Sequence, residues 1–249
     1  MLRMLKATRK ELGKDVNKNI TGLNFNEVKE IAETQAGNFR PYRMTRGNSK
    51  LDQRVLSFSL PAVKSCLNCS MCEDTCYARK SQQRYPAVKH QREVNHQLAT
   101  YHKELLIRLL DYQLKDERKR SERKGQELYV RIHVSGDFIS QDYVDMWNEL
   151  ALTNPDITFF GYSKVFEMLD LSGLNSLPNV NIVNSLPEGQ LNYGPVDEVK
   201  ELQAELQEEN NEPAPICPAT RHNSKTEDFS CIKDCDLCTR YENVLFVEH

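Results

Sequence analysis

The stretch Glu127-Leu128-Tyr129-Val130-Arg131-Ile132-His133-Val134-Ser135-Gly136-Asp137-Phe138 decides the fold. Leu128, Val130, Ile132 and Val134 alternate with Tyr129, Arg131, His133 and Ser135, so residues 127–135 read as a strand with an aliphatic face and a polar face. The strand runs into Ser135-Gly136-Asp137. Ser140 then suits the N-cap of a helix that buries Tyr143, Val144, Trp147, Leu150 and Ala151.

The same unit recurs on both sides. Residues 55–60 alternate and stop at Pro61, and a helix follows over residues 86–124, with Val94, Leu98, Tyr101, Leu105, Leu109 and Tyr112 along one face. Residues 157–164 form the next strand, ending in Gly161-Tyr162-Ser163-Lys164, and a short helix carries Leu169, Leu171 and Leu174. Another strand spans 180–185, an acidic helix spans 196–207, residues 214–218 form a short strand that delivers Cys217, and residues 244–247 form a last strand. Strand–helix–strand repetition implies an α/β fold of parallel strands with right-handed crossovers. Polar groups gather at the strands' carboxyl ends, where parallel α/β folds build their sites. The polar face carrying Arg131 and His133 suits a partial or complete (β/α) barrel around a ligand cavity, with an open doubly wound sheet as the alternative.

Charge and composition narrow the function. The 249 residues are 39% hydrophobic and 28% charged with net charge −3, which suits a globular chain and not a whole-chain polyanion binder. Residues 1–54 nevertheless hold twelve Lys/Arg against six Asp/Glu. We therefore expect a basic amino-terminal arm over residues 1–50, able to meet nucleic acid, and an α/β metal-binding domain over 51–249. No apolar run is long enough to cross a bilayer, and the first fifteen residues lack the apolar core of a secretory signal. No membrane partner and a cytoplasmic location are the expectation.

All eight cysteines fall into two groups, Cys66, Cys69, Cys72, Cys76 and Cys217, Cys231, Cys235, Cys238. A disulfide framework needs an oxidising compartment, so clustered cysteines in a cytoplasmic chain read as thiolate metal ligands. The first group has the spacing C-x2-C-x2-C-x3-C used for cubane clusters, with Tyr77 where bacterial ferredoxins place proline. One or two [4Fe-4S] clusters are the expected cofactors, with zinc as the alternative metal.

From residue 56 onward the chain resembles the phage gene product 88 family. The matching segments are Ser-Leu-Pro-Ala at 59–62, Cys-Tyr-Ala at 76–78, Val-Arg-Ile-His-Val-Ser-Gly-Asp-Phe at 130–138, the strand through Phe160 and Tyr162, Ile-Cys-Pro at 216–218 and the closing cysteines. That resemblance carries no reaction; for a phage-encoded chain, the cytoplasm is the host's. More remotely, the order of strand, cysteine loop, helix, strand and glycine-acid motif is similar to radical S-adenosylmethionine enzymes. In that superfamily the glycine-acid motif recognises the amino group of the methionine moiety. The similarity implies S-adenosylmethionine as a further cofactor, with Gly136 letting the backbone approach it and Asp137 holding its ammonium group. The polar strand face adds Ser135, and the end of the next strand adds Tyr162 and Lys164, as candidate cofactor-binding residues; Arg131 and His133 on that face, with Asp137, are the candidate catalytic residues, acting on a small-molecule, nucleotide or nucleic-acid-related substrate. The superfamily spacing C-x3-C-x2-C stands at Cys231, Cys235 and Cys238 and not in the first loop. A non-enzymatic reading remains beside it: a metal-stapled phage protein that binds nucleic acid or a host partner.

Overall fold

A computed structural model of the chain describes residues 44–47, 51–70, 72–74, 76–186, 190–210, 214–221 and 230–247. The main sheet has five strands in the order β1 (Thr45–Arg46), β2 (Val55–Ser57), β3 (Tyr129–Ile132), β4 (Thr158–Ser163) and β5 (Val180–Asn184). β1 pairs antiparallel with β2, and the other three pairings are parallel. Chain order equals spatial order, as expected when each helical crossover advances the sheet by one strand. The fold is therefore mixed α/β, as the sequence implied. The sheet ends at β1 and β5 and does not close among the described residues, so the complete barrel that was one expectation is not formed there.

Helices α1 (Tyr77–Arg84), α2 (Pro86–Tyr101) and α3 (Lys103–Glu122) join β2 to β3, α4 (Gln141–Leu152) joins β3 to β4, and α5 (Ser172–Asn175) precedes β5. Leu98 of α2, Leu110 of α3, Trp147 of α4 and Leu174 of α5 share one core with Leu56, Val130, Ile132, Phe159 and Ile182 from the strands and with Phe58 just past β2. The opposite face is covered by the carboxyl-terminal segment. There Val183, Cys217 and Val244 form a second cluster, joined by Tyr162, Leu237, Cys238, Tyr241 and Phe246. Helix α6 (Val196–Asn210) packs Val199, Leu202 and Leu206 against Ile216 and Leu245. No helix among the described residues is long and apolar enough to cross a membrane.

Several expectations about local structure change. The helix read over 86–124 is two helices that break at His102, whose backbone (φ −140°, ψ 46°) is not helical. The break resets the helical phase. Tyr101 and Tyr112, read as facing the core, are 70% and 42% exposed, while Leu106, Leu110 and Leu114 are buried. Thr45 and Arg46 lie inside the segment read as an arm, yet they form the sheet's antiparallel edge. The buried Gln113 amide grips Met44 beside them, accepting from Met44 N at 2.9 Å and donating to Met44 O at 3.0 Å. The remainder of that segment lies outside the described residues. The expected strand at 214–218 is a single bridge between Ile216 and Leu245, and β7 (Phe246–Val247) pairs with β6 (Tyr193–Gly194) apart from the main sheet.

The carboxyl ends of β2 and β3 are fastened to each other. Leu60 N donates to Ser135 O at 2.8 Å, and Asp137 N donates to Ser65 O at 3.1 Å. Gly136 sits between these bonds with φ +80°, and a Cβ there would lie 2.6 Å from Leu60 Cβ, 3.2 Å from Leu60 Cα and against Ser65 Oγ. Leu60 is fully buried and cannot withdraw. Glycine is thus required by the approach of the two chains and by a backbone region that L side chains avoid. Gly136→Ala is expected to lower unfolding free energy by about 2–4 kcal/mol, read by urea denaturation; wild-type stability in that variant would contradict the packing described.

Candidate metal centre

The first cysteine loop leaves β2 and lies over the carboxyl edge of the sheet. Ser65 Oγ donates to Pro61 O at 2.6 Å and starts the loop as a tight turn. Asn68 Nδ2 reaches across to Lys164 O, just past β4, at 3.3 Å. Tyr77, beside Cys76, donates its hydroxyl to Val134 O at 2.5 Å. The loop is held from the helical side by Gln82, whose Oε1 accepts from Ala62 N at 3.1 Å, and by Arg92, whose Nη1 donates to Ala78 O at 2.9 Å. It therefore spans the ends of β2, β3 and β4, beside Gly136 and Asp137.

The thiols within each group sense one another. Burial pushes the Cys66 thiol up to about 12, and the neighbouring Asp137, Cys69 and Cys72 add to the rise. Cys69 is raised by burial and then by Cys72, Glu73 and Cys76. In the second group, burial raises Cys217, with Cys231 and Cys235 adding, and pushes Cys238 up to about 12, with Cys217 and Cys231 adding. None of the eight is in a disulfide. Among the described residues, no three Cys, His, Asp or Glu side chains already converge on a single point that would hold a metal ion. The donor chemistry nonetheless fits a thiolate centre. Each group supplies four soft sulfur donors, and the mutual repulsion of their thiolate charges is what a bound cation would neutralise.

The second group lies on the sheet face away from the core helices. Asn181 of β5 donates Nδ2 to Cys238 O and Tyr241 O, both at 2.9 Å, and holds the closing cysteine turn against the strands. Tyr162 of β4 and Cys238 pack against the same cluster. Arg131 of β3 stacks over the Tyr162 ring at 5.0 Å. The chain belongs to the gene product 88 family. Residues 33–239 match that family, a span that takes in all the cysteines of both groups. The chain is 29% identical over 133 residues to the Gene 88 protein of Mycobacterium phage L5, covering 49% of this chain and 53% of that protein. It thus spans about half the length of the curated relative it matches. No solved structure matches it. These matches bear on the gene product 88 family and lend no support to the resemblance to radical S-adenosylmethionine enzymes.

The polar row read along β3 is not one row. Arg131 lies on the cysteine face, but His133 has φ +58°, and this left-handed residue ends the strand and reverses the alternation. His133 lies in the aromatic core instead, with ring centroids 4.8 Å from Phe138, 5.6 Å from Tyr143 and 6.2 Å from Trp147. Its Nε2 meets Tyr143 Oη at 3.0 Å. The expectation that Arg131, His133 and Ser135 line one cavity is corrected accordingly. Ser135 is buried with its Oγ unpartnered among the described residues, while its carbonyl binds Leu60 N. Asp137 is buried and clasps the end of β4. Its Oδ1 accepts from Phe138 N at 2.8 Å and Ser163 Oγ at 2.7 Å, and its Oδ2 accepts from Lys164 N at 2.9 Å. Burial raises its pKa, against the pull of these three bonds. The sequence reading missed Asn68 and Asn181, and the anchoring role of Tyr77. Asn181 left a signal, since it sits in a strand on the same side as Val183 and opposite Ile182.

Burial pulls the His133 pKa from 6.5 down to about 3. The unfolded imidazole takes a proton below about 6.5 that the folded one refuses, so stability present above that pH is lost as pH falls. Wild-type protein is expected to lose up to about 1.4 kcal/mol per pH unit through this group. His133→Gln keeps a partner for Tyr143 and removes the titration. Urea denaturation at pH 7, 6 and 5 should show a shallower decline in the variant; parallel declines would overturn the assignment.

Proposed function

We propose that this chain is an iron–sulfur protein, carrying one or two [4Fe-4S] clusters on a partial (β/α) barrel. The observation that carries the reading is the placement of the Cys66–Cys76 loop over the ends of three adjacent strands, tied down by Asn68 and Tyr77. Cys66, Cys69, Cys72 and Cys76 would hold the first cluster, and Cys217, Cys231, Cys235 and Cys238 the second. The close spacing of the first group suits a cubane, whose core disperses the charge of four thiolates, better than the paired C-x2-C motifs usual for zinc. Protein made without air should be brown and contain iron and acid-labile sulfide. Cys72→Ser or Cys76→Ser should remove the iron of the first centre. Stoichiometric zinc without sulfide in protein never exposed to air overturns the iron–sulfur reading.

Two forms of this reading are distinguished by Asp137. In the enzymatic form the chain acts on a nucleotide or nucleic-acid-related substrate by S-adenosylmethionine chemistry. In that form Cys66 or Cys69 would not be a ligand, and the cluster would supply, at the iron left open, the electron that cleaves the cofactor. This form is supported by the nearness of Cys66 to the Gly136-Asp137 turn. In the second form the clusters are structural staples of a protein that binds nucleic acid or a host partner. It is favoured by the engagement of both Asp137 oxygens within the fold, which leaves the carboxylate poorly available to a ligand's ammonium group. Calorimetric titration of cluster-loaded protein with S-adenosylmethionine, followed by assay for 5′-deoxyadenosine after dithionite reduction, separates them. Product formation is the outcome expected of the enzymatic form. Absence of both binding and product at full cluster content supports the structural form.

A further inference from the structure

Arg131 is half-buried on the cysteine face of β3, and its Nε is shielded from solvent with no hydrogen-bond partner among the described residues. The groups that act on its charge are Tyr77, Tyr162, Cys238 and Cys231; no carboxylate is among them. An arginine cannot shed its charge by losing a proton, and a half-buried guanidinium whose Nε is shielded and unpartnered is stabilised by a negative group beside it. The stacking on Tyr162 orients the guanidinium, and Tyr162 packs against the cluster that contains Cys217 and Cys238. Four thiolates around a doubly charged metal core leave net negative charge on the centre.

We propose that Arg131 is the counter-charge of the second centre, its guanidinium offsetting the negative charge of a metal group held by Cys217, Cys231, Cys235 and Cys238. Tyr162 acts with it, by orienting the guanidinium. Arg131 is thus a positioning residue and not a catalytic one. The inference rests on the metal-centre reading above. Its consequences are electrostatic: a nearby positive charge favours the reduced, more negative state of a cluster, and it slows loss of metal from thiolates.

The test uses the full chain, loaded without air, with Arg131→Gln and Arg131→Lys compared to wild type. The second centre's electron paramagnetic resonance signal is the one lost in Cys235→Ser. Dithionite titration is expected to show its midpoint shifted to more negative potential in Arg131→Gln and returned towards wild type in Arg131→Lys, while the first centre's signal moves less. If the second site instead carries zinc, the iron–sulfur reading fails there, and the inference is read from zinc release to a chromogenic chelator. Release should be about 10-fold faster in Arg131→Gln and near wild type in Arg131→Lys. Unchanged potential or release in Arg131→Gln, or identical behaviour of the Gln and Lys variants, overturns the role for Arg131 and leaves the metal reading standing. Wild-type protein with neither iron nor zinc at the second site overturns both.

Discussion

The turn at His133 is the constraint from which the site follows. A non-glycine residue with φ +58° carries a backbone penalty of about 1–2 kcal/mol, and aromatic packing around the imidazole offsets it. Once the strand ends there, Ser135 can bind Leu60, Gly136 can lie against Leu60 and Ser65, and Asp137 can reach β4. The corner that starts the cysteine loop is therefore set by how β3 stops. A regular strand through Ser135 would carry the Gly-Asp turn away from that corner.

The sheet separates two environments. The face towards the helices is aliphatic and aromatic, and the imidazole drawn into it, His133, is kept neutral beside Tyr143. The other face holds Arg131, Tyr162 and Asn181 beneath a segment bearing four cysteines. Polar groups there are tied to backbone, as in Asn181, or stacked, as in Arg131 on Tyr162. The groove between α3 and α4, about 780 Å³ and lined by residues such as Lys103, Arg108, Asp145 and Glu149, lies on the helical side and touches no cysteine. This groove thus lies apart from both cysteine groups.

Much of this architecture is legible from patterning. Alternation placed β3, β4 and β5 to within a few residues, and the repetition of strand and helix implied parallel pairing. The cysteine spacing divided the thiols into the same two groups that sense one another in the fold. The helix break at His102 was hidden because no proline or glycine marks it. Asp137 looked available for a ligand because its partners, Ser163 and Lys164, are distant in sequence and meet it only across a parallel pairing.

The sequence by itself determined the class of fold, the two thiol groups and the carboxyl edge as the place where polar residues collect. These depend on local period and on spacing along the chain, which the residue order states directly. The tertiary structure decided which face each of Arg131 and His133 occupies, that Gly136 serves chain packing, and that Arg131 shares its surroundings with the second cysteine group. Those depend on one backbone torsion and on contacts between segments about a hundred residues apart, and side-chain alternation carries no information about either.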